Sequence, residues 1–332
     1  MSEQTELEAL TIGRVGVDLY PEQSGVALAQ VRSFAKFLGG TATNVAVAAA
    51  RLGRRSAVLT KVGPDGFGEF VRTALEDFGV SSRYVTTAPG LQTPVVFCEL
   101  TPPSDPPLLF YRSPIAPDLT ITPDEVPWDV VDAVPLLWVT GTGVSAQPGR
   151  GTQREILQRR ARRGHTVLDL DYRPMFWPDV ETARAEIGWM VDHVNVVVGN
   201  RAEVEVAVGT ADPDAAADRL LARGVRLAVI KQGGDGVLMA TAEERWTVPP
   251  CRVDVVCGLG AGDGFGGALI HGLLSDWEPR RIAIYANAAG ALVAARLACA
   301  DAMPTRAEIE EMLCGSSRRD TPGPGLRAEE AR

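Results

Sequence analysis

Along the 332 residues, short apolar runs alternate with longer stretches whose apolar positions recur every three or four residues. The runs TIGRVGVDLY (11–20), SAVLTKVG (56–63), LLWVTG (136–141), HTVLDLD (165–171), HVNVVVGN (193–200) and RLAVIKQGG (226–234) read as strands, each bounded by glycine or a turn residue. TNVAVAAARLG (43–53), FGEFVRTALEDFG (67–79) and QREILQRRARRG (153–164) carry helical periodicity between them. Strand and helix in alternation predict a parallel sheet flanked by helices, an α/β fold.

Two regions break the alternation. Residues 18–37 form one, and residues 91–112 the other, where TPVVFCEL and PLLFYR flank the proline-rich TPPSDPP. Both read as paired strands outside the main sheet, and a hairpin beside an α/β core predicts a lid over a site. After Gly260 come three helical patterns, AGDGFGGALIHGLLS, PRRIAIYANAAGALVAARLA and TRAEIEEMLC. A single domain over 11–314 with these lid strands inserted is the expected organisation. Residues 315–332 combine Pro, Gly and charge with almost no large apolar side chains and are expected to be disordered.

Composition narrows the classes. A hydrophobic content of 45% suffices for one large core. The net charge of −9 opposes general binding to nucleic acid or an anionic membrane, so any phosphate ligand must be held locally. Five scattered cysteines with no C-x-x-C pair fit a reducing cytosol. The opening MSEQTELEAL lacks an apolar signal region, and no stretch reaches the roughly 18 apolar residues of a spanning helix. A cytoplasmic protein is expected. Lysine occurs only at 36, 61 and 231, which makes each one worth inspecting.

The chemistry concentrates in VDVVCGLGAGDGFGGALIHGLL, residues 253–274, where an apolar run expected to be a strand enters a glycine-rich turn and then a helix. Unpaired N–H groups at a helix start, approached past small residues, cradle a phosphate. Asp263 at that start is placed to take a proton from an attacking hydroxyl, although a plain helix-capping role would use the same residue type. The formal G-x-G-x-x-G of Gly262, Gly264 and Gly267 lies inside the helix pattern and has no acidic strand end about 20 residues on, which excludes a dinucleotide fingerprint. No Gly-Lys dipeptide exists, which excludes a P-loop.

Gly260-Ala261-Gly262-Asp263 resembles the G-A-G-D signature of the ribokinase-like (PfkB-type) carbohydrate kinases. The family's N-terminal motif has a similar counterpart in LGGTATN (38–44), the small-residue helix after it, and KVGPDGFG (61–68). The resemblance covers roughly 11–312 and implies a three-layer α/β/α sandwich with a mostly parallel sheet and a small β lid. It implies ATP and Mg2+, with Asp263 as catalytic base and the amides of Gly260, Ala261 and Gly262 on the transferring group. Asp18, Gly39, Gly40 and Asn44 resemble sugar-binding positions. Asn200 and Glu203 resemble the N-x-x-E motif that orders Mg2+ and phosphate through water, with no direct protein ligand to the metal. They equally suit a helix-capping box. Lys231, Gly233 and Gly236 resemble a turn near the nucleotide, and Asn287 a residue of the adenine pocket. Where many members carry an Asp serving a monovalent cation, this chain has Cys257-Gly258-Leu259. A thiol is a poor ligand for a hard cation, which puts potassium activation in question.

For the acceptor, Tyr111 and Arg112 at a lid strand and Arg173 after a core strand resemble the carboxylate-binding set of kinases acting on keto-deoxy-gluconates. A guanidinium fork matches the two oxygens of a carboxylate, whereas an unselected arginine is more often solvated or ion-paired. GRVGVDLYPEQSG, LLFYRSPIAPDL and GLGAGD resemble the 5-dehydro-2-deoxygluconokinases of myo-inositol catabolism. The implied activity is ATP-dependent phosphorylation of the terminal hydroxyl of 5-dehydro-2-deoxy-D-gluconate. Alternatives are a 2-keto-3-deoxygluconate kinase, another sugar kinase such as a fructokinase, or a sensor that binds sugar or nucleotide without turnover. Lid strands in this family often pair between subunits, which implies a homodimer.

Overall fold

The structure, a computed structural model, describes residues 7–23, 25–104 and 106–319, with side chains placed to 314. In chain order the elements are β1 (Ala9–Ile12), β2 (Gly16–Pro21), β3 (Phe34–Gly39), α1 (Thr41–Arg51), β4 (Ser56–Val62), α2 (Gly66–Asp77), β5 (Val85–Thr87), β6 (Val95–Cys98) and β7 (Leu108–Tyr111). Then follow α3 (Trp128–Ala133), β8 (Leu136–Thr140), α4 (Gly149–Arg160), β9 (His165–Asp169), α5 (Val180–Val191), β10 (Val196–Asn200), α6 (Arg201–Val208), α7 (Pro213–Ala222) and β11 (Leu227–Lys231). The chain continues through β12 (Val237–Ala240), β13 (Arg245–Val248), α8 (Ala261–Leu273), α9 (Pro279–Ala294) and α10 (Arg306–Arg319).

Nine strands form the central sheet in the order β13-β12-β11-β10-β9-β8-β1-β4-β5. All pairings from β11 to β5 are parallel, and β12 and β13 close one edge antiparallel. The parallel core strands read as unbroken apolar runs because both faces are covered. Leu137, Val139, Leu168 and Ile230 pack with side chains of α3 to α7, such as Val131, Ile156, Ile187 and Leu220. Trp138, Val167 and Val229 on the other face meet Val45 of α1 and Phe265, Leu269 and Ile282 of α8 and α9. The three-layer sandwich expected from the sequence is therefore present.

The second sheet has four strands in the order β3-β2-β6-β7. β2 pairs antiparallel with β3 and β6 with β7, while β2 and β6 run parallel and join the two hairpins into one sheet. Two local expectations change. TIGRVGVDLY is two strands in two sheets, broken at Gly13, whose φ of +150° and whose closeness to Thr140 Oγ1 (2.6 Å from a would-be Cβ) exclude a side chain. Residues 253–256, expected as a strand, form no strand and pair with none among the described residues, and Val255 and Val256 are exposed. Backbone residues 315–319 of the expected tail continue α10. The remainder, 320–332, lies outside the described residues.

Strand order reverses at β1, which pairs with β4 on one side and β8 on the other. Crevices at the C-terminal ends of parallel strands form at such a reversal. The segments leaving β1, β8, β9, β10 and β11 carry Arg14, Thr142, Asp171, Glu203 and Lys231, and so meet along one edge.

Candidate active site

The glycine turn opens a helix, α8, as its pattern predicts. Gly260, at φ +78°, is the N-cap of α8, and a Cβ there would lie 3.1 Å from Cys299. Asp263 sits in the first turn of α8 and accepts a hydrogen bond from Asn44 Nδ2 at 2.8 Å. Burial pushes the Asp263 carboxyl up to about 6, against the Asn44 hydrogen bond and the charges of Arg14 and Lys231, which favour ionisation. Asn44 Oδ1 is buried with no hydrogen-bond partner.

Lys231 leaves β11 beside this helix start, its Nζ 3.1 Å from a would-be Cβ on Gly262. Burial alone would lower its pKa, but Asp169, Glu203 and Asp263 together raise it, so the ammonium stays charged. Asp169, at the end of β9, is buried and held well above the usual carboxylate range. Glu203 N–H donates to Asn200 Oδ1 at 3.0 Å, and Asn200 N–H to Glu203 Oε2 at 2.7 Å. This capping box opens α6 and holds Glu203, which is buried, near Lys231. Helix start, ammonium and small residues together suit a polyphosphate and its Mg2+. Gly233 and Gly236 form the turn after β11 with positive φ, and a Cβ on Gly236 would lie 2.1 Å from the Val248 carbonyl oxygen. Asn287 spends its amide donors on the carbonyls of Val248 and Pro249.

On the other side of Asp263 lies Asp18. It belongs to β2 of the small sheet, not to the end of the first core strand, and its carboxylate lies over Gly39, where a Cβ would be 2.1 Å from Asp18 Oδ1. Burial first, and the charge of Asp263 further, push its pKa to about 7, opposed by Arg14. Gly40 at φ +103° lets the start of α1 touch the backbone of Arg14 and Val15.

The arginines expected to hold a carboxylate are already engaged. Arg112, its side chain 10% exposed, is paired with Asp118 at 3.1 Å and set 4.8 Å from the Phe176 ring centroid. A cavity of about 500 Å3 lined by Phe110, Arg112, Ser145 and Phe176 opens beside it. Arg173 Nε donates to Asp171 Oδ1 at 3.2 Å. Tyr111 is 59% exposed and stacks edge-on with Phe97. Alternation along β7 puts it on the face opposite to Phe110 and Arg112, so it is not among the cleft groups.

The sequence reading missed Arg14 and Asp171 as site residues. Arg14 Nη2 donates to Thr41 Oγ1 and to both Asp171 oxygens at 3.3 and 3.2 Å. Thr142 adds a 2.8 Å hydrogen bond to Asp171, whose carboxyl is held below the usual range by the two arginines against its burial. Asp171 adopts φ +32°, a left-handed conformation that asparagine and aspartate tolerate best. Their signals in the sequence were an arginine between two glycines just after an apolar run, and a second acid two positions past a strand's last residue.

Comparison with known proteins gives the family. Residues 7–306 match the family described as pfkB family carbohydrate kinase. A 5-dehydro-2-deoxygluconokinase of Photobacterium profundum is 34% identical over 322 residues, covering 94% of this chain and 96% of that one. A protein of the same name from Geobacillus kaustophilus is 29% identical, covering 94% and 95%. Among solved structures, a double-mutant fructokinase of Vibrio cholerae in its fructose-, ADP- and potassium-bound form superposes with a TM-score of 0.82 at 25% identity, covering 93% and 99%. A candidate ribokinase II of Escherichia coli in complex with ATP and Mg2+ shares the fold at a TM-score of 0.85 and 23% identity, covering 93% and 99%.

Proposed function

The chain belongs to the pfkB family of carbohydrate kinases, and from that premise we propose that it transfers the ATP γ-phosphoryl group to the terminal hydroxyl of 5-dehydro-2-deoxy-D-gluconate. The observation that carries the kinase reading is Asp263, raised to about 6, at a glycine-opened helix start beside the Lys231 ammonium. The substrate comes from the relatives of that name, which align over nearly their whole length.

Asp18 and Asn44 hold sugar hydroxyls, and the sugar's terminal hydroxyl gives its proton to Asp263 as the oxygen attacks phosphorus. A base with a pKa near 6 is ionised at neutral pH yet still basic enough to accept that proton. The amides of Gly260, Ala261 and Gly262, with Lys231, face the charge on the transferring group. Mg2+ neutralises phosphate charge when bound, and Glu203 and Asn200 organise its water shell. Gly233 and Gly236 shape the nucleotide side, where Asn287 pins β13 and so shapes the adenine pocket indirectly.

The small sheet acts as the lid, carrying Asp18 on its inner face and excluding water on closure. Its outer face carries Phe34, Phe97, Leu109 and Tyr111, with Leu109 and Tyr111 about half exposed. That face is where two copies of the chain pair as a homodimer. Three buried free thiols, Cys98, Cys257 and Cys299, fit a cytoplasmic protein. Among the described residues no helix is long and apolar enough to cross a membrane.

The test is phosphotransfer from ATP with Mg2+ to 5-dehydro-2-deoxygluconate, 2-keto-3-deoxygluconate and fructose. Highest kcat/KM on the first supports the assignment. Preference for either of the others replaces the substrate, and nucleotide binding without product on any of them replaces the kinase with a sensor.

A further inference from the structure

We infer that Arg14, rather than Arg112 or Arg173, is the residue that receives the substrate's carboxylate, and that it sets the preference of this site for a sugar acid over a neutral sugar. The inference rests on the sugar-acid reading above.

Arg14 leaves the C-terminal end of β1, the strand at which the sheet order reverses. It is 7% exposed, and its guanidinium carbon stands 5.8 Å from the Phe110 ring centroid and 5.7 Å from that of Phe176. All of its side-chain hydrogen bonds leave from Nη2, to Thr41 and Asp171. Nε is buried with no partner, as is Asn44 Oδ1. A buried donor left without a partner costs more than a typical hydrogen bond contributes, and a ligand oxygen or an ordered water would satisfy it.

Arg14, Arg112 and Arg173 are paired with two carboxylates, Asp118 and Asp171. The charges of Asp18 and Asp263 also act on Arg14. Arg112 gives Nη2 to both oxygens of Asp118, and Arg173 has a 41% exposed side chain. Of the three arginines, only Arg14 has a fully buried donor nitrogen without a partner among the described residues. Its backbone also touches the sugar end of the cleft, where Gly40 has no side chain. Weak hydration and a planar fork suit a guanidinium to this role.

The experiment compares the sugar acid with its C1 amide, which has the same shape and no charge, in wild type, Arg14→Met and Arg14→Met/Asp171→Asn. The double variant removes the buried carboxylate that the single variant strands. Wild type is expected to prefer the acid. Arg14→Met is expected to lose roughly 100-fold in kcat/KM for the acid, mainly through KM, with the amide changed less than about threefold. The double variant should fold with near wild-type thermal stability and keep the loss of preference. If wild type shows no preference for the acid, the substrate reading has failed. If wild type prefers the acid and Arg14→Met keeps that preference, the substrate reading stands and the Arg14 assignment falls. Equal loss on both substrates that the double variant restores would also overturn it, because Arg14 would then only neutralise Asp171.

Discussion

Asp263 is useful because two opposing effects meet on one carboxyl. Burial raises its pKa, and the hydrogen bond from Asn44 holds the rise to about 6. Asp263→Asn removes the proton acceptor and little else, so kcat should fall by roughly 100- to 10,000-fold while KM values stay within a few-fold. Steady-state kinetics checks this, and unchanged kcat would remove Asp263 as the base. The pH dependence has a definite sign. As the proposed base, Asp263 acts in its ionised form, so activity should be present above about pH 6 and be lost as pH falls through it. Asn44 stabilises the charged form, so Asn44→Ala should raise the Asp263 pKa and move the acidic limb of the kcat profile to higher pH. Asp18, at about 7, titrates in the same range, and the shift is best read in an Asp18→Asn background. The signature Gly260–Asp263 was legible in the sequence because its spacing is local. Arg14 and Asp171 were not, because their importance comes from meeting across 157 residues, and nothing within either segment announces the other.

At the level of elements, the Asn44–Asp263 pair depends on two helices that nearly touch. A Cβ on Gly267 of α8 would lie 2.2 Å from Ala48 Cβ and 2.7 Å from the Ala48 backbone carbon of α1. Backbone cannot swing aside as a flexible side chain can, so Gly267→Ala must push the helices apart. The expected cost is about 1–3 kcal/mol, read by urea denaturation. Because α1 carries Asn44 and α8 carries Asp263, kcat should drop as well. Stability loss with unchanged kcat would mean that the helices shift without disturbing the pair. The small-residue pattern of α1 was visible as a motif, but only the packing gives its reason. Core strands such as LLWVTG and RLAVIKQGG were read correctly because burial on both faces leaves an unmistakable apolar run. VDVVC had the same look yet joins no strand among the described residues, its Val256 and Cys257 amides donating to the Ala294 carbonyl at the end of α9, since periodicity records which residues tolerate a strand and not whether a neighbouring strand is there to receive it.

The whole molecule was legible as one α/β domain with something inserted at 18–37 and 91–112, yet not as one joined lid. The parallel pairing of β2 with β6 links segments almost 80 residues apart, a relation no local pattern records. The same pairing decides what each lid residue faces. Phe110 and Arg112 turn inward and Tyr111 outward, where Phe34, Phe97 and Tyr111 make edge-to-face contacts at 5.2 and 5.5 Å. On this outer face Val17 and Leu38 are buried in a cluster with residues of α1 and α2, while Leu109 and Tyr111 stay exposed, and the second copy of the proposed homodimer would cover them. Replacing Leu109 and Tyr111 together with lysine places two charges in the centre of that contact without touching the inner face. Sedimentation velocity at micromolar concentration should show a dimer for wild type and a monomer for the double variant. If the lid is stiffened by the partner, KM for the sugar should rise in the variant while KM for ATP changes less, because Asp18 rides on the lid and Lys231 does not. A wild-type monomer would remove the dimer. A dimeric variant would move the interface to another surface.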